Sequence, residues 1–257
     1  MRVKGQVGSA TGGLFLPRWW GDSPGAEMTN IVILTGAGIS AESGLGTFRA
    51  EDGLWANHRV EDVATPEGFV HNPSLVHRFY NMRRAESTSA APNAAHEALA
   101  RLEAKLDGQV TVVTQNVDDL HERGGSQSII HMHGALAGSL CAACDHRWPS
   151  AYETSAADAC PSCGRAATRP DIVWFGEMPY QMERIFTLIE EADIFAAIGT
   201  SGNVYPAAGF AAEARRLGVH TVELNLEPSL VVNDFVETRF GPATETVPKW
   251  VDELLEK

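Results

Sequence analysis

Short apolar runs punctuate the chain at residues 31–34, 109–114, 194–198 and 220–224. Their length and near-continuous apolar character predict strands buried on both faces of a parallel sheet. Between them the apolar positions change to helical spacing. Residues 73–85 place Leu75, Val76, Phe79 and Met82 on one side of a helix and Tyr80 with Arg83 on another. Residues 93–106 carry Leu99, Leu102 and Leu106, and residues 179–192 carry Met182, Ile185, Phe186 and Ile189, each set forming one buried stripe. Two more helices are predicted over 206–217 and 248–256. Thr65-Pro66 and Asn72-Pro73 read as helix starts, a capping side chain followed by proline at the first helical position. Residues 86–92 predict a polar break, 129–133 and 171–175 read as extended, and 49–63 reads as a loop able to fold over a ligand. Strands separated by helices predict an α/β fold with a doubly wound, parallel, Rossmann-like sheet, which binds ligands at the carboxyl ends of its strands.

Those ends carry the chemistry. The four runs finish in Thr35-Gly36-Ala37-Gly38, Gln115-Asn116-Val117-Asp118, Gly199-Thr200-Ser201 and Asn225-Leu226-Glu227, all small or hydrogen-bonding except Val117 and Leu226. A strand, a Gly-x-Gly turn and a helix entered at Ser40 and Glu42 make an anion cradle, because glycine lets backbone N–H groups approach a pyrophosphate. The third glycine of the usual fingerprint is missing, and a tight turn with no ligand is the competing reading of this motif alone. For Asn116 and Asp118 taken alone, the competing reading is a solvated turn or helix cap. Four such ends on one sheet edge favour a dinucleotide.

Composition narrows the class. A chain of 257 residues, 44% hydrophobic and 21% charged, can bury a sizeable core and carry a smaller appendage. Its net charge of -13 argues against nucleic acid, whose phosphates are held by clustered Lys and Arg. No apolar run reaches the length of a membrane span. All four cysteines, Cys141, Cys144, Cys160 and Cys163, fall into C-x2-C-x15-C-x2-C, the spacing of a zinc ribbon. Four thiolates close a tetrahedral shell, so the predicted metal is structural; a redox dithiol pair is the competing reading. Free thiols point to a reducing, cytoplasmic compartment. The segment 141–168 has little periodic apolar content and depends on the metal for its fold. Residues 1–27 read as a flexible leader, with Met28 an alternative start.

Nine histidines include one pair of interest, His131 and His133, which face the same way on an extended segment. A neutral imidazole can serve as a general base, and spacing does not choose between the two. His96, inside an apolar helical stripe, reads as structural.

With these motifs assembled in order, namely GAGISAESG with TFR, TQNVD, HMHG, the paired C-x-x-C, VWFGE, GTS and NLE, the chain from about Met28 onward resembles the sirtuin family, NAD-dependent protein lysine deacylases. It is most similar to the bacterial deacylases that also remove succinyl groups. It departs from the family pattern at Gly46, often proline, and at Ala135, often glutamate.

The resemblance implies that NAD is wrapped by residues 36–55, including Gly36, Ala37, Gly38, Ile39, Ala41, Glu42, Phe48, Arg49 and Trp55, and that residues 41–49 close over it. Gln115, Asn116 and Asp118 would surround the nicotinamide and its ribose. Gly199, Thr200, Ser201, Asn225, Leu226, Glu227 and Ala243 would line the adenosine half. It selects His133, directly before glycine, as the catalytic base. Val173, Phe175 and Gly176 would contact the acyl-lysine substrate. Tyr80 and Arg83, at i and i+3, would bind an acidic acyl group; without the family context they read as a packed tyrosine and a solvated arginine.

The implied reaction is attack of the acyl carbonyl oxygen on C1′ of the nicotinamide ribose, then activation of a ribose hydroxyl by His133. Free lysine, nicotinamide and O-acyl-ADP-ribose result. The implied domains are a Rossmann-like unit (28–50, 86–133, 173–257) and a small unit (51–85, 134–172) made of a helical insertion and the zinc ribbon. Its partners would be acylated lysines on proteins, met by a monomer. An ADP-ribosyltransferase or NAD glycohydrolase using the same pocket, and a non-enzymatic zinc-ribbon module, are the alternatives.

Overall fold

The computed structural model describes residues 28–46 and 58–256. In chain order the strands are β1 (Thr29–Thr35), β2 (Gly108–Thr114), β3 (Ile129–His131), β4 (Gly134–Cys141), β5 (Arg147–Pro149), β6 (Thr168–Ile172), β7 (Ile194–Ile198), β8 (His220–Asn225) and β9 (Glu237–Phe240). The α-helices are α1 (Val60–Val63), α2 (Pro66–His71), α3 (Pro73–Ser89), α4 (Ala94–Lys105), α5 (Leu120–Arg123), α6 (Met182–Glu190), α7 (Phe210–Arg216) and α8 (Ala243–Leu255).

Six strands form a parallel sheet in the order β3-β2-β1-β7-β8-β9. β1 is apolar without interruption because both its faces are covered. Ile31 and Ile33 point into a layer with Leu99 and Leu102 of α4 and Trp250 of α8. Val32 and Leu34 point the other way, onto Ile185 and Ile189 of α6 and Phe210 of α7. Burying each such side chain stabilises the fold by about 1.5–3 kcal/mol. Register pairs Thr35 with Thr114 and with Ile198, and Ile198 with Leu224, so the four predicted strand ends finish level along one edge.

A second, antiparallel sheet, β5-β4-β6, carries the cysteine loops. It packs on α1 to α3 through Val63, Val76, Phe79, Leu136, Ile172 and Trp174. A polar seam fixes α3 to it: His77 meets the Thr154 hydroxyl at 2.8 Å and the Thr168 carbonyl at 3.0 Å. Arg84 donates to the Leu136 carbonyl at 2.7 Å, and Asn81 exchanges hydrogen bonds with the Thr154 backbone at 2.9 and 3.1 Å.

Several elements differ from their sequence-based bounds. α3 continues through the expected break to Ser89, because polar residues alone do not end a helix; it stops at Ala90, just before Ala91, which Pro92 biases away from helix. Met82 and Phe186 are exposed rather than buried. α8 begins at Ala243, five residues before Pro248, which lies inside the helix without the N–H that would bond to Thr244. α6 starts at Met182, after Gln181 in the left-handed conformation. The extended segments near 129–133 and 171–175 are shorter or displaced: β3 stops at His131 and β6 ends at Ile172. β9 has no apolar run to reveal it, being an edge strand with alternate residues exposed.

Candidate active site

The site grows from the ends of β1 and β7. The Gly36 N–H donates to the Ile198 carbonyl at 3.0 Å and the Gly38 N–H to the Gly199 carbonyl at 2.9 Å. A Cβ on Gly38 would stand 2.7 Å from the Gly199 Cα, and one on Gly199, whose φ is +61°, would stand 2.4 Å from the Ile39 nitrogen. These glycines therefore let two strand ends touch. The Gly36 and Gly38 amide hydrogens are both used within the protein, so what these two glycines themselves offer a ligand is the absence of side chains.

The turn leads into a 3₁₀ segment, Ala37–Ser43, capped by Gly36 and not entered at Ser40. Ser40 is buried and works as a hub. Its hydroxyl accepts from the Asn116 amide at 3.2 Å and lies 3.5 Å from Asp118 and 3.4 Å from His96 Nε2. Asn116 also donates to the Gly36 carbonyl at 3.2 Å. Behind them the His96 and His121 rings meet edge to face at 5.0 Å, and His121 contacts the Thr35 hydroxyl at 2.9 Å. Burial lowers both imidazoles, to about 4 for His96 and about 3 for His121, and raises the Asp118 carboxyl. Both rings are therefore neutral at physiological pH. His121 lies outside every quoted motif, and Ser40, although inside GAGISAESG, shows its partners only in the fold, which brings the two to Asp118, Asn116 and Thr35.

Gln115 bridges to the next tip, donating to the Thr200 hydroxyl at 3.2 Å, and Asn225 donates to the Thr200 carbonyl at 2.8 Å. Ser201 is half-buried, whereas Ala41, Leu226 and Glu227 are exposed along the rim. The Glu42 carboxylate accepts the Thr244 N–H at 3.1 Å and its hydroxyl at 2.7 Å, which caps α8 beside Ala243, its first residue. Phe48, Arg49 and Trp55 lie outside the described residues, as do residues 1–27 and the last three residues, 47–49, of the segment expected to close.

The two rival histidines part company at the end of β3. His131 holds acceptors at both nitrogens, Glu122 at 2.6 Å and the Asn116 carbonyl at 3.3 Å. Burial opposes its charge, but the Glu122 hydrogen bond wins and raises its pKa. His133 sits in the turn before β4. Its Nδ1 faces the Gln115 carbonyl at 3.2 Å, and among the described residues no partner stands at Nε2. A carbonyl only accepts, so Nδ1 carries the hydrogen and Nε2 a lone pair. Burial lowers the His133 pKa and keeps the ring neutral.

Beside His133, the Val173 N–H donates to the His133 carbonyl at 2.9 Å, which brings the 173–176 segment to the site. Phe175 and Gly176 are exposed there. Trp174 is buried, and its indole N–H donates to the Tyr80 hydroxyl at 3.0 Å. Burial pushes the Tyr80 phenol up to about 12, so it stays protonated. Arg83, half-buried on the same helix, has its pKa lowered by burial, against attraction from Tyr80, Glu86 and Asp118. Trp174 has the composition of a core residue, and its polar contact is invisible in sequence.

The cysteines belong to the second sheet: Cys141 ends β4, Cys144 follows it, and Cys160 and Cys163 precede β6. Their sulfurs all fall within 4.8 Å of one another, with Cys141 and Cys163 at 3.7 Å and Cys144 and Cys160 at 3.8 Å. Thiolates about 2.3 Å from a tetrahedral zinc stand about 3.8 Å apart, so the four fit that ion. The Ala143 and Ser162 N–H groups each donate to a cysteine sulfur at 3.4 Å, which favours the thiolate.

Known proteins share this arrangement. A family model described as the Sir2 family matches residues 36–206. An NAD-dependent protein deacylase of Vibrio vulnificus is 58% identical over 229 residues, covering 88% of this chain and 94% of the relative. One from Pasteurella multocida is 56% identical over 232 residues, covering 89% and 99%. Among solved structures, a Sir2 homologue in complex with NAD superposes with a TM-score of 0.82 at 36% identity, covering 88% of this chain and 90% of the other. A Sir2 protein bound to acetylated peptide gives 0.74 at 28% identity, covering 87% and 92%. The level strand ends, the glycine contact between β1 and β7, the four-cysteine cluster and these likenesses agree, and the chain belongs to the Sir2 family.

Proposed function

We propose that the protein is an NAD-dependent protein lysine deacylase that removes acetyl and succinyl groups from lysine side chains. The observation that carries this reading is the tautomer of His133. Its Nδ1–H is held by the Gln115 carbonyl and its Nε2 keeps a lone pair, the state a general base requires. The residues at the sheet edge suit a dinucleotide: a turn kept free of side chains at Gly36, Gly38 and Gly199, flanked by the Gln115 amide and Thr200 hydroxyl. NAD, once bound, supplies the ribose that accepts the acyl group and nicotinamide as the leaving group.

In this reading Gln115, Asn116 and Asp118 hold the nicotinamide half, with Ser40 keeping the last two in place. Ser201, Asn225 and Glu227 hold the adenosine half, Val173 and Phe175 align the acyl-lysine, and Tyr80 with Arg83 bind an acidic acyl chain. The three-stranded sheet with α1 to α3 forms the small domain over the larger one, and zinc on the four cysteines is structural. The thiolate shell favours a reducing, cytoplasmic setting, and a monomer suffices for every role named.

Mass spectrometry of acetyl- and succinyl-lysine peptides incubated with NAD and purified protein tests the proposal. Free lysine, nicotinamide and O-acyl-ADP-ribose are expected, and formation of O-acyl-ADP-ribose disappears with His133→Tyr, whose imidazole acts only after nicotinamide has left. NAD consumed while the peptide stays intact would instead assign an ADP-ribosyltransferase or glycohydrolase.

A further inference from the structure

Tyr80 does not stand alone among the buried residues of α3. Its hydroxyl accepts the Trp174 indole N–H at 3.0 Å, and an indole can only donate. The phenol is therefore obliged to be the acceptor in that bond. Its own proton must go elsewhere, and among the described residues no hydrogen bond uses it. Trp174 is itself held on three sides. The Arg169 guanidinium lies 3.5 Å from its ring centroid, Phe69 leans on it with centroids 5.2 Å apart, and its backbone N–H donates to Glu177 at 2.8 Å. Arg169 closes the clamp with two bonds to Glu177, at 2.7 and 2.9 Å, and a third to the Ile172 carbonyl at 2.8 Å.

We infer that Trp174, clamped by Arg169 and Glu177, is a positioning residue that turns the Tyr80 hydroxyl proton toward an acidic acyl chain and so sets selectivity for succinyl-lysine over acetyl-lysine. The inference rests on the reading that Tyr80 and Arg83 bind that chain. A carboxylate is the ligand this arrangement suits: it accepts only, as a phenol proton left unused requires, and Arg83 stands one helical turn away to neutralise it. An acetyl group ends in a methyl and offers that proton no acceptor beyond the amide carbonyl that both acyl chains share.

The test is steady-state kinetics of the full chain with matched succinyl and acetyl peptides, using Trp174→Phe, Tyr80→Phe and the double variant. Trp174→Phe is expected to reduce kcat/KM for the succinyl peptide about tenfold more than for the acetyl peptide, mainly through KM. The double variant should be no more selective or unselective than Tyr80→Phe alone, since both changes break one device. Equal losses on the two peptides, or additive losses in the double variant, would overturn the inference.

If Tyr80→Phe lowers the succinyl preference but Trp174→Phe does not, the role of Trp174 falls and the reading of Tyr80 stands. If the wild type takes no succinyl peptide, both fall. Should Trp174→Phe not fold, the indole N–H resonance of the wild type, identified by its displacement in Tyr80→Phe, carries the test. It should respond to the succinyl peptide and not to the acetyl peptide; an equal response refutes the link.

Discussion

At the scale of single residues, two histidines two positions apart differ because of what their nitrogens meet. His131 is fixed between Glu122 and a carbonyl and favours the charged form; His133 meets one carbonyl and keeps a basic nitrogen. In its proposed role His133 acts in the neutral form, and burial lowers its pKa, so kcat/KM should fall as pH drops through a value below the usual 6.5. An acid limb centred above 6.5 would assign the base elsewhere. An NMR titration should show His131 titrating above that value and His133 below it. Arg83→Met should reduce desuccinylation about 100-fold while affecting deacetylation far less, the scale of losing a hydrogen-bonded charge in a buried pocket. Comparable losses on both peptides would remove the role.

At the scale of elements, the end of β1 is built on buried polar groups. His96 and His121 are held neutral well below the ordinary imidazole value, to about 4 and about 3. In the unfolded chain they bind protons near pH 6.5, so the folded state loses stability as pH falls from 6.5 toward 4. His96 alone accounts for on the order of 3 kcal/mol over that window. Urea denaturation at pH 7 and pH 4.5 would measure it, and equal midpoints would contradict the buried pair. Glu42 joins two elements by capping α8 from the glycine turn. Glu42→Ala should cost about 1 kcal/mol of global stability, read from the denaturation midpoint. The helix entry expected at Ser40 and Glu42 was plausible chemistry in the wrong place: the carboxylate does cap a helix, but one more than 200 residues further along the chain.

At the scale of the whole molecule, the cysteine ribbon reaches Tyr80 and Arg83, the proposed acyl-binding pair, through α3. One face of that helix, His77, Asn81 and Arg84, is hydrogen-bonded to Thr154, Thr168 and Leu136; another carries Tyr80 and Arg83. Chelation of zinc should therefore release one ion per chain, loosen the three-stranded sheet and abolish desuccinylation, while the six-stranded sheet keeps its far-ultraviolet signal. A metal-free protein with undiminished succinyl selectivity would break this chain of contacts. The parallel sheet, its four level ends and the four-cysteine cluster were legible in sequence, because burial on both faces forces continuous apolar runs and tetrahedral thiolate binding forces a fixed spacing. Local pattern alone fixed these features, together with the family resemblance of the motif order. Which histidine keeps a lone pair, why the glycines must be glycines, what Glu42 caps and which hydroxyl the Trp174 indole meets depend on partners 9 to 202 residues away. Such contacts leave no periodic trace in the chain, and only the tertiary structure decided them.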